Sequence, residues 1–265
     1  MCIVASNLST NWNSSSVYPR ASVVVPCYNE AARLDTELFR QYIAGNMQTR
    51  ILFVDDGSTD GTASVLENIR AGLECRAEIL RASENRGKAE AVRLGITHAL
   101  NHFEQEVAGY WDADLATPLD SISRFLNLLD SRPDIEMVFG ARVKLLGRYV
   151  VRRSTRHYLG RVFATVVSQM LRLPIYDTQC GAKLFRVTPN LRKVFAEAFI
   201  SSWVFDVEII ARYLNLYGND PVHLERVIFE YPLERWTDVA GSKVGPGDFL
   251  TALWDLIKIQ RKYLG

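Results

Sequence analysis

The stretch Val107-Ala108-Gly109-Tyr110-Trp111-Asp112-Ala113-Asp114 is an apolar strand running into two acids one residue apart. Strand side chains alternate with period two, so Asp112 and Asp114 are expected on one face at one edge of a sheet. Such a pair suits a hard divalent cation, and Mg²⁺ in particular takes one or two carboxylates together with substrate phosphates. An Asp-x-Asp pair alone describes two solvated acids at a strand end equally well. What distinguishes this one is the order of the segments around it.

Upstream, apolar runs at 21–26, 51–54 and 78–80 alternate with helix-patterned segments at 30–44, from about 60, and at 87–101. Downstream come a helical segment at 118–129 and a further apolar run at 135–139 that closes the series. This alternation predicts an α/β fold, a mostly parallel sheet with helices on both faces. Ligands of such sheets bind beyond the carboxyl ends of the strands. Tyr28-Asn29-Glu30, Asp55-Asp56-Gly57 and Asp112-Ala113-Asp114 all fall at those ends, which places three acidic strand ends on one rim. Asp60 is predicted to cap the helix after the second strand. Asn85-Arg86-Gly87-Lys88 opens a helix whose free N–H groups, with Lys88, suit a phosphate.

The 265 residues suffice for one large domain, and 31 basic against 30 acidic residues give no support to a general nucleic-acid role. The charge is uneven, however. Arg142, Lys144, Arg148, Arg152, Arg153, Arg156 and Arg161 fall in a stretch free of acids, which favours an anion site over a merely solvated face. Cys2, Cys27, Cys75 and Cys180 show no metal or disulfide spacing, so a reducing compartment is expected. Residues 1–20 form a polar segment without the apolar core of a signal peptide, and no run is long enough to span a bilayer. From Tyr158/Leu159 through Val162/Phe163 and Val166/Val167 to Met170/Leu171 an apolar pair recurs every four residues, a helical stripe. It reads either as a helix packed on the sheet or as a basic amphipathic helix on a membrane surface. The chain is accordingly divided into a polar segment 1–20, a main domain 21–245 in two parts, 21–141 and 142–245, and a C-terminal amphipathic helix 246–265.

Taken in order, Pro26-Cys27-Tyr28-Asn29-Glu30, Val54-Asp55-Asp56-Gly57-Ser58-Thr59-Asp60-Gly61 and Trp111-Asp112-Ala113-Asp114 resemble the family-two glycosyltransferases, inverting nucleotide-sugar enzymes with the A-type fold. Asp177-Thr178-Gln179-Cys180-Gly181-Ala182-Lys183-Leu184-Phe185, Phe205-Asp206-Val207-Glu208 and Gly241-Ser242-Lys243 are similar to one branch, the polyprenyl-phosphate sugar synthases, and within it to the dolichyl-phosphate glucose synthases. The likeness runs from about residue 22 to 243.

That resemblance implies a nucleoside pocket lined by Pro26, Tyr28, Glu30 and Asp56. Tyr28 would stack on the base for about 1–3 kcal/mol, and Asp56 would accept the imide N–H of a uracil. Lys88, Asp112 and Ala113 would face the rest of the nucleotide. Asp112 and Asp114 would hold Mg²⁺ or Mn²⁺ against the diphosphate in a Lewis-acid role. Mannose-transferring relatives often carry Asp-x-Asp-Leu-Gln; here the run is Asp114-Leu115-Ala116-Thr117, so Thr117 or water is expected in place of the extra ligand and a mannose donor is disfavoured.

A lipid monophosphate acceptor needs no catalytic base, because its second pKa is about 6 and its oxygen is already anionic near neutral pH. It needs cations, and Arg142, Arg153 and Arg156 offer guanidinium forks matched to phosphate. With Asp114, Arg142 and Arg156 make up the expected catalytic set. Gln179 and Lys183 are expected to complete the acceptor site, and Lys243 to reach the diphosphate from its loop. For Asp206 and Glu208, on a predicted helix, sugar recognition and a structural ion pair are both open. The expected activity is metal-dependent transfer of a hexose, glucose by preference, from UDP to a polyprenyl or dolichyl monophosphate, by a peripheral protein on the cytoplasmic face of a membrane. The alternatives are a family relative acting on a soluble sugar or glycan acceptor, and a non-catalytic nucleotide-sugar-binding protein. Dehydrogenase, P-loop, serine-hydrolase and zinc-protease signatures are all absent from the sequence.

Overall fold

The computed structural model describes residues 19–151, 154–238 and 246–265, with the side chains of 152–159 and 239–250 outside the described set. Strands β1 (Ala21–Cys27), β2 (Thr49–Asp55), β3 (Ala77–Arg81) and β4 (Val107–Trp111) alternate with helices α1 (Thr36–Gly45), α2 (Thr62–Arg70) and α3 (Lys88–His102). Helix α4 (Asp120–Ser131) and strand β5 (Met137–Ala141) follow. The expected series is present with its boundaries shifted, α4 and β5 by two residues each, and the starts of α1 and α2 moved for local reasons. Helix α1 begins at Thr36 rather than near Glu30: Asn29 turns the chain with a φ of 53°, and the cap is Asp35, whose carboxylate accepts from Leu38 N at 2.9 Å. At α2 the cap position belongs to Gly61, one residue past the expected Asp60. Asp60 still serves this turn, accepting from Thr62 N at 2.9 Å.

The second half of the chain adds β6 (Tyr149–Val151), α5 (Ser154–Leu171), β7 (Ala182–Arg186), α6 (Pro189–Ala196), α7 (Phe205–Leu216), α8 (Pro221–Val227), β8 (Ile228–Pro232), β9 (Arg235–Thr237) and α9 (Pro246–Ile259). The main sheet has seven strands in the order β3-β2-β1-β4-β7-β5-β8, and β6 pairs with β9 in a small parallel ribbon. In the main sheet β7 runs antiparallel to β4 and β5, while every other pairing is parallel. The strand series therefore does not close after 135–139. Residues 142–245 contribute β7 and β8 to the same sheet as residues 21–141.

Period-two alternation divides the core into two layers. Val24, Leu52, Tyr110, Phe139 and Phe185 pack with α3, α5, α6, α7 and α9, while Val23, Phe53, Trp111, Val138 and Leu184 pack with α1, α2 and α4. The α5 stripe is split by this packing: Phe163, Val167 and Leu171 join the core, while Val162 and Val166 are 56% and 39% exposed. Helix α9 does the same, with Ala252, Leu256 and Ile259 inward and Trp254 and Ile257 outward. Among the described residues no helix is long and apolar enough to cross a membrane.

The strand order locates the site. From β1 the chain winds outward through β2 to β3, then crosses back to β4 on the other side of β1. Open α/β sheets bind ligands at such a switch point, beyond the carboxyl ends of the two strands. Here those ends carry Tyr28-Asn29-Glu30 and Asp112-Ala113-Asp114.

Candidate active site

Hydrogen bonds from backbone N–H groups to side-chain oxygens lace the β1 and β2 ends together. Asn29 N donates to Ser58 Oγ at 3.0 Å, Thr59 N to Asn29 Oδ1 at 2.9 Å, Glu30 N to Thr62 Oγ1 at 2.8 Å, and Ser58 N to Asp55 Oδ1 at 3.0 Å. Gly57 is required by conformation and space: its φ is 68°, and a Cβ would lie 2.6 Å from the Glu84 backbone. Asp56 is buried, and its two oxygens accept from Arg86 N at 3.0 Å and Gly87 N at 2.7 Å. Asp56 thus braces the turn that opens α3. Each of its oxygens keeps a second acceptor site, and the expected base contact stands as a proposal. Pro26, Tyr28 and Glu30 remain at the rim, partly buried.

The two acids of the rim stand just beyond β4, outside the pleat, so a turn rather than strand alternation brings them together. Leu115, at φ 52°, donates to Asp112 O at 3.3 Å and closes that turn. Asp112 N donates to Gly181 O at 2.9 Å, and a Cβ on residue 181 would come within 1.8 Å of Asp112 Oδ2. Glycine at 181 is thus what admits the carboxylate. Lys88 Nζ lies 2.6 Å from Asp112 Oδ1, while Asp114 accepts from Ala116 N at 3.0 Å and sits 3.7 Å from an Arg33 nitrogen. Ala113 between them is buried. Burial, and then the charge of Asp112, raise Asp114 above the usual carboxylate value. Desolvation opposes the charge on Lys88, but Asp112 and Asp206 outweigh it and leave Lys88 above the ordinary lysine value.

These features fit a divalent ion. Two neighbouring carboxylates repel, and among the described residues no cluster of three or more His, Cys, Asp or Glu competes as a complete protein cage. A donor set of two carboxylates leaves further positions to phosphate oxygens and water, as Mg²⁺ prefers. Thr117 does not replace the missing Gln. It is buried, with its hydroxyl 3.9 Å from Cys180 Sγ and its carbonyl accepting from Trp111 Nε1 at 2.8 Å.

On the acceptor side, Arg142 is not a free cation. Its Nε and Nη2 donate to Asp177 at 2.5 and 2.7 Å, its backbone N donates to the same carboxylate at 3.1 Å, and the guanidinium stands over Trp236. Desolvation works against the charge, and Asp177 more than offsets it, raising Arg142 further. Arg142 is first a strut between the end of β5 and the 177–181 loop. Next to it is a pocket lined by Arg142, Arg161, Tyr176, Asp177, Thr178 and Gln179. The Arg161 guanidinium stacks 3.9 Å from the Tyr176 ring centroid. Among the described residues Thr178 Oγ1 and Gln179 Nε2 are buried there with no hydrogen-bond partner.

Lys183 is a second correction: it is fully buried, with its ammonium bonded inside the protein, and does not reach an acceptor. The open question about Asp206 and Glu208 resolves to buried ion pairs, with Lys183 and Arg212 respectively. Arg33 and Gly181 were not singled out as site residues by sequence. The proximity of Arg33 to Asp114 depends on the Asn29 turn, and Gly181 was visible only as part of a motif. Arg153, Lys243, Gly241, Ser242 and the side chain of Arg156 lie outside the described residues.

Residues 22–191 match the family model described as glycosyl transferase family 2. A dolichyl-phosphate beta-glucosyltransferase of Dictyostelium discoideum is 31% identical over 92% of this chain and 74% of its own length. The Drosophila melanogaster protein of the same name is 33% identical over 92% of this chain and 75% of its own. A solved Mycobacterium tuberculosis glucosyl-3-phosphoglycerate synthase, in complex with Mn²⁺, UDP and phosphoglyceric acid, shares the fold. It has a TM-score of 0.62 and 17% identity, over 91% of this chain and 78% of that one. The acidic rim at the switch point of a mostly parallel sheet and the sequence likeness over nine-tenths of its length agree: the chain belongs to glycosyl transferase family 2, within the branch that holds the dolichyl-phosphate glucosyltransferases.

Proposed function

We propose that this glycosyltransferase moves a glucosyl residue from UDP-glucose to a dolichyl or polyprenyl monophosphate, with inversion at the anomeric carbon. The observation that carries the reading is the pocket beside the Arg142–Asp177 pair, where two guanidinium groups meet the unpartnered Thr178 Oγ1 and Gln179 Nε2. Those groups suit a phosphate, and the pocket adjoins the loop that carries Gly181 against Asp112. In the reaction an acceptor phosphate oxygen bonds to the anomeric carbon as the bond from that carbon to UDP breaks. The acceptor oxygen arrives already ionised, so the chain has to orient it rather than deprotonate it. Thr178, Gln179 and Arg161 would orient the acceptor, Tyr28 would stack on the base, and Lys88 would add positive charge beside the diphosphate. When bound, Mg²⁺ or Mn²⁺ held by Asp112 and Asp114 would neutralise charge on the departing diphosphate.

With radiolabelled UDP-glucose and polyprenyl phosphate, label is expected in the organic phase only when lipid phosphate is present, and GDP-mannose should serve at least about tenfold less well. UDP release stimulated by soluble acceptors but not by lipid phosphate would move the chain to the soluble-acceptor reading. Nucleotide-sugar binding without any turnover would leave the non-catalytic one.

An acceptor held in a bilayer requires contact with its surface, and we propose attachment to the cytoplasmic face. The acid-free basic stretch supports this: Leu145 and Leu146 are exposed between Lys144 and Arg148, and Val162 and Val166 point outward from α5. Exposed apolar side chains in a segment rich in Arg and Lys suit an anionic interface. Purified protein is expected to co-sediment with anionic liposomes in a salt-sensitive way. Because Val162 and Val166 face solvent, Val162→Glu with Val166→Glu should keep the fold and weaken co-sedimentation by about tenfold or more. Unchanged binding by the double variant would shift the contact to α9 around Trp254.

A further inference from the structure

Strand β7 places a lysine in the middle of the main sheet, between β4 and β5. Lys183 has no exposed surface, and its Nζ lies 5.4 Å from the Tyr110 ring centroid and 5.7 Å from that of Phe139. The ammonium has three hydrogens and three partners. It donates to Thr178 O at 3.0 Å, to Cys180 O at 2.5 Å and to Asp206 Oδ1 at 2.5 Å. Asp206 lies in the first turn of α7, where the helix dipole favours a carboxylate, and it also accepts the Tyr110 hydroxyl. Tyr110 lies on β4, two residues before Asp112 just beyond its end.

Stability alone does not account for this arrangement. Apolar residues of similar volume often replace a buried ion pair with no loss of stability. What an apolar set could not do is hold two carbonyls of one loop. Thr178 and Cys180 belong to the 177–181 loop, and that loop touches both sides of the site. At one end Asp177 grips Arg142, and at the other Gly181 O receives Asp112 N and its bare Cα makes room for the Asp112 carboxylate.

We infer that Lys183 is a positioning residue for transfer, pinning the 177–181 loop to α7 through Asp206 and so setting donor-side Asp112 and acceptor-side Arg142, Thr178 and Gln179 in one frame. The inference rests on the proposed reading of the rim as the donor site and the adjoining pocket as the acceptor site. Lys183 itself touches neither substrate. It acts through backbone carbonyls, as an internal clamp.

The test replaces the whole triad by apolar groups, Lys183→Met with Asp206→Leu and Tyr110→Phe. With no uncompensated charge left, thermal unfolding is expected to stay near that of the wild-type protein. Hydrogen exchange at the 177–181 amides should nonetheless rise by about tenfold or more, with β1–β3 unchanged. Metal-dependent UDP affinity measured without acceptor, and KM for polyprenyl phosphate, should each worsen by about tenfold. A triple variant with wild-type loop exchange and wild-type UDP affinity would make the triad purely structural and overturn the inference. Should that variant fold poorly, Asp206→Asn keeps the size and a polar partner for Lys183 and Tyr110. Faster exchange confined to the loop then supports the clamp, and equal acceleration across the sheet overturns it. The exchange measurement uses no substrate, so a wrong donor or acceptor would alter the binding arms and leave the loop result standing.

Discussion

Asp114→Asn is expected to lower transfer by about a thousandfold, on the order of 4 kcal/mol of transition-state stabilisation, while the protein keeps its fold. The argument for stability runs through the charge of Asp114. Its carboxyl is raised by burial and by the neighbouring charge of Asp112, so the ionised form is disfavoured in the folded chain. An amide removes that repulsion and keeps an oxygen for Ala116 N, the one backbone donor hydrogen-bonded to Asp114 Oδ1 at 3.0 Å. The melting temperature should therefore stay level or rise slightly. Function responds the other way, because a divalent ion binds far more weakly to one carboxylate and an amide than to two carboxylates. The check pairs a melting curve with Mn²⁺-dependent UDP binding and turnover. Wild-type turnover by Asp114→Asn with metal present would remove the acid pair from the reaction. Loss of turnover together with a large drop in melting temperature would show instead that the acid is structural.

The parts of this molecule that sequence reveals are those whose causes are local. Strands buried on both faces read as continuous apolar runs, which is why β1, β2, β4 and β5 stand out. Their ends are legible because the acids there interrupt those runs. Strand β7 fails the same reading for one reason: its second residue is Lys183, whose burial depends on Asp206 and on two carbonyls that a hydropathy pattern does not contain. Arg142 shows the same gap in a different form. Its charge is visible in the sequence, but its partner Asp177 is distant in the chain, and only the antiparallel entry of β7 beside β5 brings the two together. Asp56 sits at the strand end where it was expected, and its two oxygens accept from the N–H groups of the α3 turn, a bracing role that its position in the sequence does not reveal. Position along the chain was thus recoverable, and the direction in which a charged side chain faces was not.

The Glu208–Arg212 pair carries the largest expected effect on stability. Arg212 is almost fully buried; its Nε and Nη2 donate to Glu208 Oε1 at 3.1 and 2.7 Å, Nη1 donates to Val194 O at 2.6 Å and Glu197 O at 2.9 Å, and Nη2 to Ala198 O at 2.7 Å. Glu208 accepts in turn from Ile200 N at 2.7 Å and from the Tyr263 hydroxyl at 2.9 Å. One guanidinium thereby ties the end of α6, the turn after it, α7 and, through Glu208, the C-terminal segment. Arg212→Met would leave three carbonyls without donors and a buried carboxylate without its counter-ion. Breaking a buried pair from one side costs about 3–5 kcal/mol. For a chain of this length that corresponds to a fall in melting temperature on the order of 10 °C. Glu208→Gln keeps one oxygen for Ile200 N, removes only the charge and the second acceptor, and should cost less. At temperatures below both transitions, KM for UDP-glucose and turnover per folded molecule should match the wild-type protein, because every described partner of this pair belongs to the protein's own scaffold. A raised KM for the donor with an unchanged melting temperature would be the opposite pattern. It would return Glu208 to sugar recognition, against the direction in which its oxygens face.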